Sequence, residues 1–294
     1  MMLKKLPEGY LSAAEKRGSV VKVDYMAADK EEKGNMIPKY AYVYLPYGYD
    51  ESKKYDILYC LHGGGGEIEV YFGDENKIGD IKHTLDHMIA NGDINPVIAV
   101  SPTYYSKIRE HNLDSAVSEI EHFCKVELVE NLIPAIEGKF STYAESTDRA
   151  GISASREHRG YTGYSMGALS TWCTYINDMD CFKYFMPMSG DYWINGESVA
   201  DKSADVLDEA ALSLGYNKDD IYIYAITGDK DIAYERMKAM LESLDKNGKF
   251  FEFTKDDKKG NICFGVETGA THDYVYMPLY FYNVLPEFFG GRNK

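Results

Sequence analysis

Short β-rich runs alternate with longer helical patterns along this chain of 294 residues, and this alternation limits its possible folds more than any other feature. Strands that are separated by helices have to be joined by crossovers, which favour a mostly parallel sheet with helices on its faces. No internal repeat, low-complexity tract or Pro/Gly/Ser-rich linker interrupts the pattern. We therefore predict an α/β fold with a mostly parallel central sheet flanked by helices, built as a single domain over residues 1–294.

The hydrophobic patterns place the individual elements to within a few residues. Strands are predicted at residues 20–26, 40–45, 56–61, 97–101, 160–164, 184–188, 221–226, 250–253 and 262–266. Helices are predicted at residues 77–91, 119–139, 166–177, 204–214, 233–247 and 274–289. Gly92 is expected to end the first helix and Pro134 to bend the second. Residues 103–118 are polar and only weakly periodic, which predicts a long loop.

Residues 163–167 have the pattern G-x-S-x-G, and they lie between a predicted strand and a predicted helix. A nucleophilic serine in this pattern occupies a sharp strand-to-helix turn, and the flanking glycines allow the close backbone approach that the turn requires. The first amides of the following helix can then stabilise an oxyanion. The pattern alone also fits an ordinary Gly/Ser turn, but the strand and helix around it favour Ser165 as a nucleophile.

A glycine-rich loop, HGGGG at residues 62–66, follows the strand predicted at residues 56–61. A serine hydrolase needs a second main-chain N–H near its nucleophile, and a glycine loop supplies it because no Cβ blocks the approach. We predict that the N–H groups of Gly64 and Met166 form an oxyanion hole and that His62 has a structural role. A phosphate-binding turn is the alternative, but no Lys-Ser/Thr pair follows the glycines.

Seven histidines are present, and His272 is the only one that follows Ser165. In a strand-to-helix serine hydrolase the triad has the chain order Ser, then Asp or Glu, then His. His272 lies in a predicted turn after the last strand and before the final helix, which is where a base carried by a loop is expected. A surface histidine on a turn is the alternative. We predict His272 as the general base.

The acid of the triad should follow the strand predicted at residues 221–226, where Asp229 and Asp231 lie on either side of Lys230. One of the two carboxylates would accept a hydrogen bond from the Nδ1–H group of His272 and hold its tautomer. Asp231 also precedes a predicted helix and could instead be the N-cap of that helix. These patterns leave both carboxylates as candidates.

A net charge of −15 and a pI near 4.9 disfavour nucleic acid as a partner, because such a surface repels phosphates. The five cysteines are widely spaced, odd in number and without a CxxC pair, so neither a disulfide framework nor a zinc site is predicted. The predicted chemistry requires no metal and no organic cofactor. No apolar run approaches the ~20 residues of a membrane span, and no signal-peptide pattern is visible, which predicts a cytoplasmic protein that does not bind membranes. A secreted protein whose export signal has been removed would show the same pattern and is the alternative.

Seven segments of the sequence resemble, in order and at compatible spacing, blocks of a known enzyme family. They are residues 43–49 (VYLPYGY), 61–65 (LHGGG), 155–160 (SREHRG), 163–167 (GYSMG), 189–193 (SGDYW), 231–234 (DIAY) and 269–272 (GATH). From about residue 20 to residue 289, the chain resembles carbohydrate esterase family 1, and within it the feruloyl esterase domains attached to bacterial xylanases. Seven blocks in register are more specific than any single motif.

The resemblance implies the α/β-hydrolase fold and hydrolysis of ferulate esters on plant arabinoxylan. It implies Asp231 as the acid, because the family's acid falls in the DIAY block, and Trp193 as a wall of the aromatic acyl pocket. Asp191, Tyr192 and Gly65 are further candidate substrate contacts. The expected substrate is a small-molecule hydroxycinnamoyl ester of a sugar or oligosaccharide, or of another phenolic alcohol.

Two other functions are compatible with these residues. An acetyl-sugar esterase, an S-formylglutathione hydrolase or a siderophore esterase would keep the fold and the chemistry but change the substrate. A non-catalytic sugar-binding protein on the same scaffold is the second alternative, and an intact triad disfavours it. The loop at residues 103–118, with Tyr104, Tyr105 and Arg109, leaves the carboxyl edge of the predicted sheet and is therefore a candidate cover for the site.

Overall fold

The computed structural model of the protein describes residues 3–74, 77–106, 115–193, 199–255 and 259–290. Eight strands form one sheet in the order β1-β2-β4-β3-β5-β6-β7-β8. The strands are β1 Ser19–Ala28, β2 Met36–Leu45, β3 Asp56–Leu61, β4 Val97–Ser101, β5 Arg159–Tyr164, β6 Tyr184–Met188, β7 Tyr222–Gly228 and β8 Ile262–Glu267.

Six neighbouring strands, from β4 to β8, pair in parallel, whereas β2 pairs antiparallel with both β1 and β4. This arrangement confirms the prediction of a mostly parallel sheet. The carboxyl ends of parallel strands meet at one edge of a sheet, and ligands of open α/β sheets bind in the crevice outside that edge. The loops that follow β3, β5, β6, β7 and β8 therefore all lie along the carboxyl edge of the sheet.

Helices cover both faces of the sheet. They are α1 Asp80–Asn91, α2 Ala116–His122, α3 Ile133–Glu137, α4 Arg149–Ala154, α5 Met166–Asp178, α6 Ala200–Ser213, α7 Tyr234–Asn247 and α8 Met277–Phe289, with a π-helical segment, Phe123–Leu132, between α2 and α3. One apolar cluster contains buried side chains of α1 and α8, and another contains those of the remaining long helices. We call the two sides the α1/α8 face and the α5/α7 face.

The central strands contribute side chains alternately to the two faces. In β3, Leu58 and Cys60 belong to the cluster on the α1/α8 face, whereas Tyr59 and Leu61 belong to the cluster on the α5/α7 face. Successive side chains of a strand point to opposite faces, so a strand covered on both sides must be apolar throughout. This explains why β3 and β4 could be predicted as continuous apolar runs.

Most predicted elements are confirmed within a few residues, but the strand predicted at residues 250–253 is wrong. Phe253 forms only a single bridge, with Ile262. The backbone N–H of Phe250 donates a hydrogen bond of 2.7 Å to Oδ1 of Asp208 on α6, and only Glu252 and Thr254 bond through their main chain to the start of β8, so the contact with β8 is too short to form a strand. α4 was not predicted, because six residues are too few for a periodic pattern.

The helix predicted at residues 119–139 begins earlier and changes its type along its length. α2 starts at Ala116, and the π-helical segment and α3 continue it without a break. Pro134 lies just after the π-helical segment, inside this continuous run, where its missing N–H removes one hydrogen bond of the helix. The loop predicted at residues 103–118 therefore ends before Ala116, which corrects its boundary. Arg109 lies outside the described residues.

All five cysteines are free and buried, which confirms the prediction that they form no disulfide framework. Within the described ranges, no helix combines the length and the apolar character that crossing a membrane requires. The same ranges contain no group of three His, Cys, Asp or Glu side chains that could hold a metal ion. The single-domain organisation and the cytoplasmic location stay predictions.

Candidate active site

Ser165 occupies a sharp turn between β5 and α5. Its backbone has φ 57° and ψ −113°, and a positive φ is uncommon for a residue with a side chain. A Cβ on Gly163 would lie 2.2 Å from the carbonyl oxygen of Gly167, and a Cβ on Gly167 would lie 2.2 Å from that of Leu61. Both glycines are thus required by the close approach of main-chain segments. The strained backbone of Ser165 between them is of a kind that is typical of functional sites.

Replacing Gly167 by Ala is expected to destabilise the fold by about 3 kcal/mol or more, at the upper end of the cost of overpacking a core. The added methyl group would meet the carbonyl oxygens of Leu61 and His62, and neither main-chain atom can rotate away. Chemical denaturation measures the change in the free energy of unfolding. Gly34→Ala is the control, since its Cβ would meet nothing within 4 Å and only its positive φ carries a cost. Equal losses in the two variants would contradict the explanation.

The three residues predicted as a triad lie in hydrogen-bond contact. Nε2 of His272 is 2.8 Å from Oγ of Ser165, and Nδ1 of His272 is 2.8 Å from Oδ1 of Asp231. These residues follow β5, β7 and β8, so the parallel sheet brings their loops together. An ionised carboxylate can only accept hydrogen bonds, so Nδ1 must carry the proton. Nε2 is then free of a proton and accepts the hydrogen bond from the hydroxyl of Ser165.

The Asp231 carboxyl is held in its ionised form. Its side chain is fully buried, and burial alone would raise its pKa. The hydrogen bonds from His272 and from the backbone N–H of Ala233, helped by the nearby hydroxyl of Ser189, outweigh burial, so the pKa of Asp231 lies below its ordinary value. Asp231 therefore carries a negative charge near neutral pH and can stabilise the imidazolium that forms during acyl transfer.

The structure separates the two carboxylates that the sequence left as candidates. Oδ1 of Asp229 accepts a hydrogen bond of 2.6 Å from the N–H of Gly269, which joins the loop after β7 to the turn before His272. Asp231 contacts His272 and also accepts a hydrogen bond of 2.8 Å from the N–H of Ala233, just before α7. Asp231 is therefore not the N-cap of α7, since Ala233 holds that position without a side-chain capping bond, and the contact of Asp231 with Ala233 lies within the turn before the helix.

Buried hydroxyl groups near Asp231 were not predicted from the sequence. Ser189 directly follows β6, has a positive φ of 55°, and lies with its Oγ 3.4 Å from Oγ1 of Thr227. Burial, and after it the charge of Asp231, raise the pKa of the Tyr164 and Tyr280 hydroxyls, so both stay protonated. These groups come from four distant parts of the chain; Ser189 begins the SGDYW block and Tyr164 lies in the GYSMG block, but no sequence pattern linked any of them to Asp231.

The glycine loop lies directly beside the nucleophile. A Cβ on Gly63 would be 3.3 Å from Cβ of Ser165, so the glycine loop that carries Gly64 packs against the serine. In the described ranges, neither the N–H of Gly64 nor that of Met166 donates a hydrogen bond to another residue. Two main-chain donors are therefore left for an oxyanion, and their role in the reaction stays a prediction.

Three tyrosine hydroxyls hold the main chain of the glycine loop. The N–H of Gly63 donates to Oη of Tyr274 over 2.7 Å, and the N–H of Gly65 donates to Oη of Tyr105 over 3.2 Å. Oη of Tyr104 donates to the carbonyl oxygen of Gly63 over 3.2 Å. Burial raises the pKa of Tyr274 to about 12, so its hydroxyl stays protonated. The loop is thus preorganised, as an oxyanion hole requires.

His62 is a structural residue, as predicted. It is fully buried, and its Nε2 lies 2.7 Å from Oγ1 of Thr103. Its ring lies against those of Tyr104 and Tyr105, at centroid distances of 4.7 and 5.6 Å. The start of the loop after β4 therefore supports the glycine loop. Whether its remaining part covers the site lies outside the described residues.

Trp193 follows β6 on the α5/α7 face and is only partly buried. Its Nε1–H donates to Oδ1 of Asp191 over 3.1 Å, and the guanidinium of Arg236 lies 5.8 Å from its ring centroid. Asp191 is 1 % exposed and also pairs with Arg236 at 3.3 Å. Direct contact of Asp191 with substrate stays a prediction, but its burial fits a role in fixing the indole. Tyr192 is half-buried beside it.

Comparison with known proteins identifies a family. The family model described as putative esterase matches residues 39–286. Endo-1,4-beta-xylanase Y of Acetivibrio thermocellus is 41% identical over 283 residues, which cover 96% of this chain and 24% of the xylanase. The chain therefore spans about a quarter of the length of this curated relative.

Solved structures share the fold. A mutant of the feruloyl esterase module from Clostridium thermocellum, complexed with sinapinate, is 37% identical, with a TM-score of 0.84 over 100% of this chain and 96% of that one. A CE1 ferulic acid esterase from Anaeromyces mucronatus, in complex with ferulic acid, is 20% identical with a TM-score of 0.67, over 97% and 96% of the two chains, and shows the fold alone. These findings confirm the α/β-hydrolase fold and the resemblance to feruloyl esterase domains. The chain therefore belongs to the putative esterase family and is a serine carboxylic-ester hydrolase.

Proposed function

We propose that the protein hydrolyses esters of ferulate and related hydroxycinnamates, and that Ser165, His272 and Asp231 carry the reaction. The observation that carries this proposal is the hydrogen-bonded chain of these three side chains, with both contacts at 2.8 Å, together with a half-buried tryptophan in the loop after β6. The likeness to a feruloyl esterase module at 37% identity supports the aromatic acyl group.

The reaction proceeds in two acyl-transfer steps. His272 takes the proton of Ser165 as its oxygen attacks the ester carbonyl, and the N–H groups of Gly64 and Met166 stabilise the oxyanion. The charge on Asp231 stabilises the imidazolium, which then protonates the departing alcohol. Water attacks the acyl-enzyme with His272 again as the base, and the free acid is released. The protein's own residues suffice for every step.

The acyl pocket is proposed to lie against Trp193. Its indole is fixed by the hydrogen bond to Asp191 and by Arg236, so little side-chain freedom is lost when a planar ligand packs on it. Aromatic rings gain about 0.5–1.5 kcal/mol from such stacking beyond the burial of area. An acetyl group has no ring and would gain little from this wall.

Trp193→Ala is expected to lower kcat/KM for methyl ferulate roughly 10-fold or more, because each ~1.4 kcal/mol of lost contact energy is a factor of ten in rate. For an acetylated sugar, which has no ring to lose contact, kcat/KM should fall less than about 3-fold. Steady-state hydrolysis of both esters measures the effect. Tyr47→Ala is the matched control, because this aromatic side chain is 58 % exposed and lies in the turn after β2. An equal loss for both esters would remove the argument for an aromatic pocket.

The alternatives make different predictions for the wild-type protein. A strong preference for acetyl esters would favour an acetyl-sugar esterase, and turnover of S-formylglutathione or of a siderophore ester would favour those enzymes. A non-catalytic sugar-binding protein would resist a fluorophosphonate probe while folded. The alcohol part of the substrate is proposed to be a sugar or oligosaccharide. If the enzyme is cytoplasmic, its substrate would be feruloylated fragments taken up by the cell and not the intact plant cell wall.

A further inference from the structure

Three buried polar atoms next to the triad have no hydrogen-bond partner among the described residues. They are the carboxylate oxygen Oδ2 of Asp231 and the hydroxyl oxygens of Tyr164 and Tyr280. The other oxygen of the carboxylate, Oδ1, contacts His272 and accepts a hydrogen bond from the N–H of Ala233. A charged oxygen that is buried without a donor costs more free energy than a neutral one, and such groups are rare in folded proteins. A shared partner for the three atoms is therefore expected.

The register of the parallel strands brings these groups together at the carboxyl edge. Tyr164 ends β5 and pairs with Met188 of β6, which in turn pairs with Ile226 of β7. Ser189 follows Met188, and its N–H donates a hydrogen bond of 2.9 Å to the carbonyl oxygen of Ile226. Tyr280 of α8 is fully buried in the apolar cluster on the α1/α8 face, which also contains Tyr164. The two tyrosines and the serine therefore reach the same region from three different elements.

The hydroxyl of Ser189 lies close to all three of these atoms. Against the effect of burial, this hydroxyl favours a lower pKa of Asp231, of Tyr164 and of Tyr280 alike, which requires it to be a near neighbour of each. Its Oγ is 3.4 Å from Oγ1 of Thr227, which is long for a hydrogen bond between two hydroxyls. Ser189 thus has hydrogen-bonding capacity left over, although its positive φ of 55° holds it in a strained backbone position.

One water molecule matches the hydrogen-bonding capacity of these four groups. Burial, and after it the charge of Asp231, raise the pKa of the Tyr164 and Tyr280 hydroxyls, so each phenol keeps a proton to donate. An ionised carboxylate oxygen can only accept. Water accepts two hydrogen bonds and donates two, so it can accept from both tyrosines and donate to Oδ2 of Asp231 and to Oγ of Ser189. Buried waters typically make about three such bonds to groups that otherwise lack partners.

We propose that one buried water molecule links Tyr164, Tyr280 and Ser189 to Oδ2 of Asp231, and that these three are positioning residues for the acid. With Oδ2 held, the carboxylate does not rotate about its Cβ–Cγ bond, and Oδ1 stays aligned with Nδ1 of His272. The ring of Tyr164 also lies 5.0 Å from the imidazole, so the same side chain supports both partners. The positioning role rests on the proposed function, because it assumes that Asp231 is the acid, whereas the site of the water does not.

High-resolution X-ray diffraction of the whole protein tests the site directly. We expect a single density peak within about 3 Å of Oδ2 of Asp231, of both tyrosine hydroxyls and of Oγ of Ser189. Direct hydrogen bonds between the hydroxyls and Oδ2, with no peak between them, would overturn the proposal.

Thermal unfolding of Tyr280→Phe tests whether the hydroxyl has a partner. Removing a hydroxyl that bonds to the water should lower Tm, whereas removing one that is buried without a partner should raise it. Tyr175→Phe is the matched control, because the hydroxyl of this buried tyrosine on α5 donates a hydrogen bond of 3.0 Å to the carbonyl oxygen of Leu207. Both variants should therefore lose stability, and a higher Tm of Tyr280→Phe would contradict the bond to the water.

The positioning role is tested by kinetics and by proton NMR of the Nδ1–H group of His272. Tyr280→Phe should lower kcat for methyl ferulate roughly tenfold, the effect of losing one hydrogen bond beside a charged group, and leave KM within about twofold. It should also shift the Nδ1–H resonance. Tyr175→Phe should leave kcat within about twofold and the resonance in place, although it loses a hydrogen bond as well.

An unchanged kcat and an unchanged resonance in Tyr280→Phe would overturn the positioning role, even with the water present in the density. Failure of the wild-type protein to hydrolyse any hydroxycinnamate ester would instead remove the proposed function. In that case diffraction and thermal unfolding still decide whether the water links the hydroxyls to Asp231.

Discussion

Ser165→Ala is expected to lower kcat/KM for methyl ferulate at least ~1,000-fold, because the members of a triad act as one unit and the hydroxyl is the nucleophile. The change removes one oxygen atom that bonds only to His272 in the described structure, so the free energy of unfolding should stay within about 1 kcal/mol of the wild-type value. Hydrolysis of methyl ferulate and chemical denaturation together measure both expectations.

Ser213→Ala serves as the control for this change, because Ser213 is exposed near the end of α6 and its hydroxyl bonds only to its own helix. It should leave kcat/KM within about twofold. Fluorophosphonate labelling gives a second measurement, since the probe should modify the wild type and Ser213→Ala but not Ser165→Ala. Retained hydrolysis in Ser165→Ala would show that another group is the nucleophile.

Asp231→Asn is expected to lower kcat/KM roughly 1,000-fold or more, an effect as large as that of the serine. The carboxylate accepts hydrogen bonds from Nδ1–H of His272 and from the N–H of Ala233, and both contacts favour its ionised form. An amide is neutral and also offers an NH₂ group, which would favour the opposite imidazole tautomer and leave the imidazolium without a counter-charge. Kinetics at saturating substrate should place most of the loss in kcat.

Asp229→Asn is the matched control, two residues away in the same loop. Its side chain holds the N–H of Gly269, and an amide oxygen can accept that hydrogen bond as well. We expect kcat/KM to fall less than about tenfold. If the losses in the two variants were reversed, the acid of the triad would be Asp229, and the hydrogen-bonded chain at Asp231 would be a structural feature only.

Ser165 and His272 could be proposed as nucleophile and base from the sequence because the constraints on them are local or follow from chain order. The pattern G-x-S-x-G encodes a local backbone geometry, in which Gly163 and Gly167 have no room for a Cβ. The base had to follow the nucleophile, and His272 was the only histidine that did so. Neither inference needs a distance between remote residues.

The contacts that support the site could not be predicted in the same way. Tyr274, Tyr104 and Tyr105 hold the glycine loop from positions 40 to 211 residues away, and no periodic pattern links them to it. The strand predicted at residues 250–253 failed for the same reason. Its apolar residues fit a strand, but the N–H of Phe250 bonds to the side chain of Asp208 and that of Glu252 to the side chain of Asn261, so polar side chains take the place of strand partners.

The sequence by itself determined the class of the fold and pointed to Ser165 as the nucleophile and His272 as the base, since hydrophobic alternation, turn glycines and chain order are local or one-dimensional properties. Only the tertiary structure showed that Asp231, and not Asp229, contacts His272, and which hydroxyls lie near that carboxylate. The reason is that hydrogen bonds act over about 3 Å, and which groups come that close is fixed by the packing of the whole sheet.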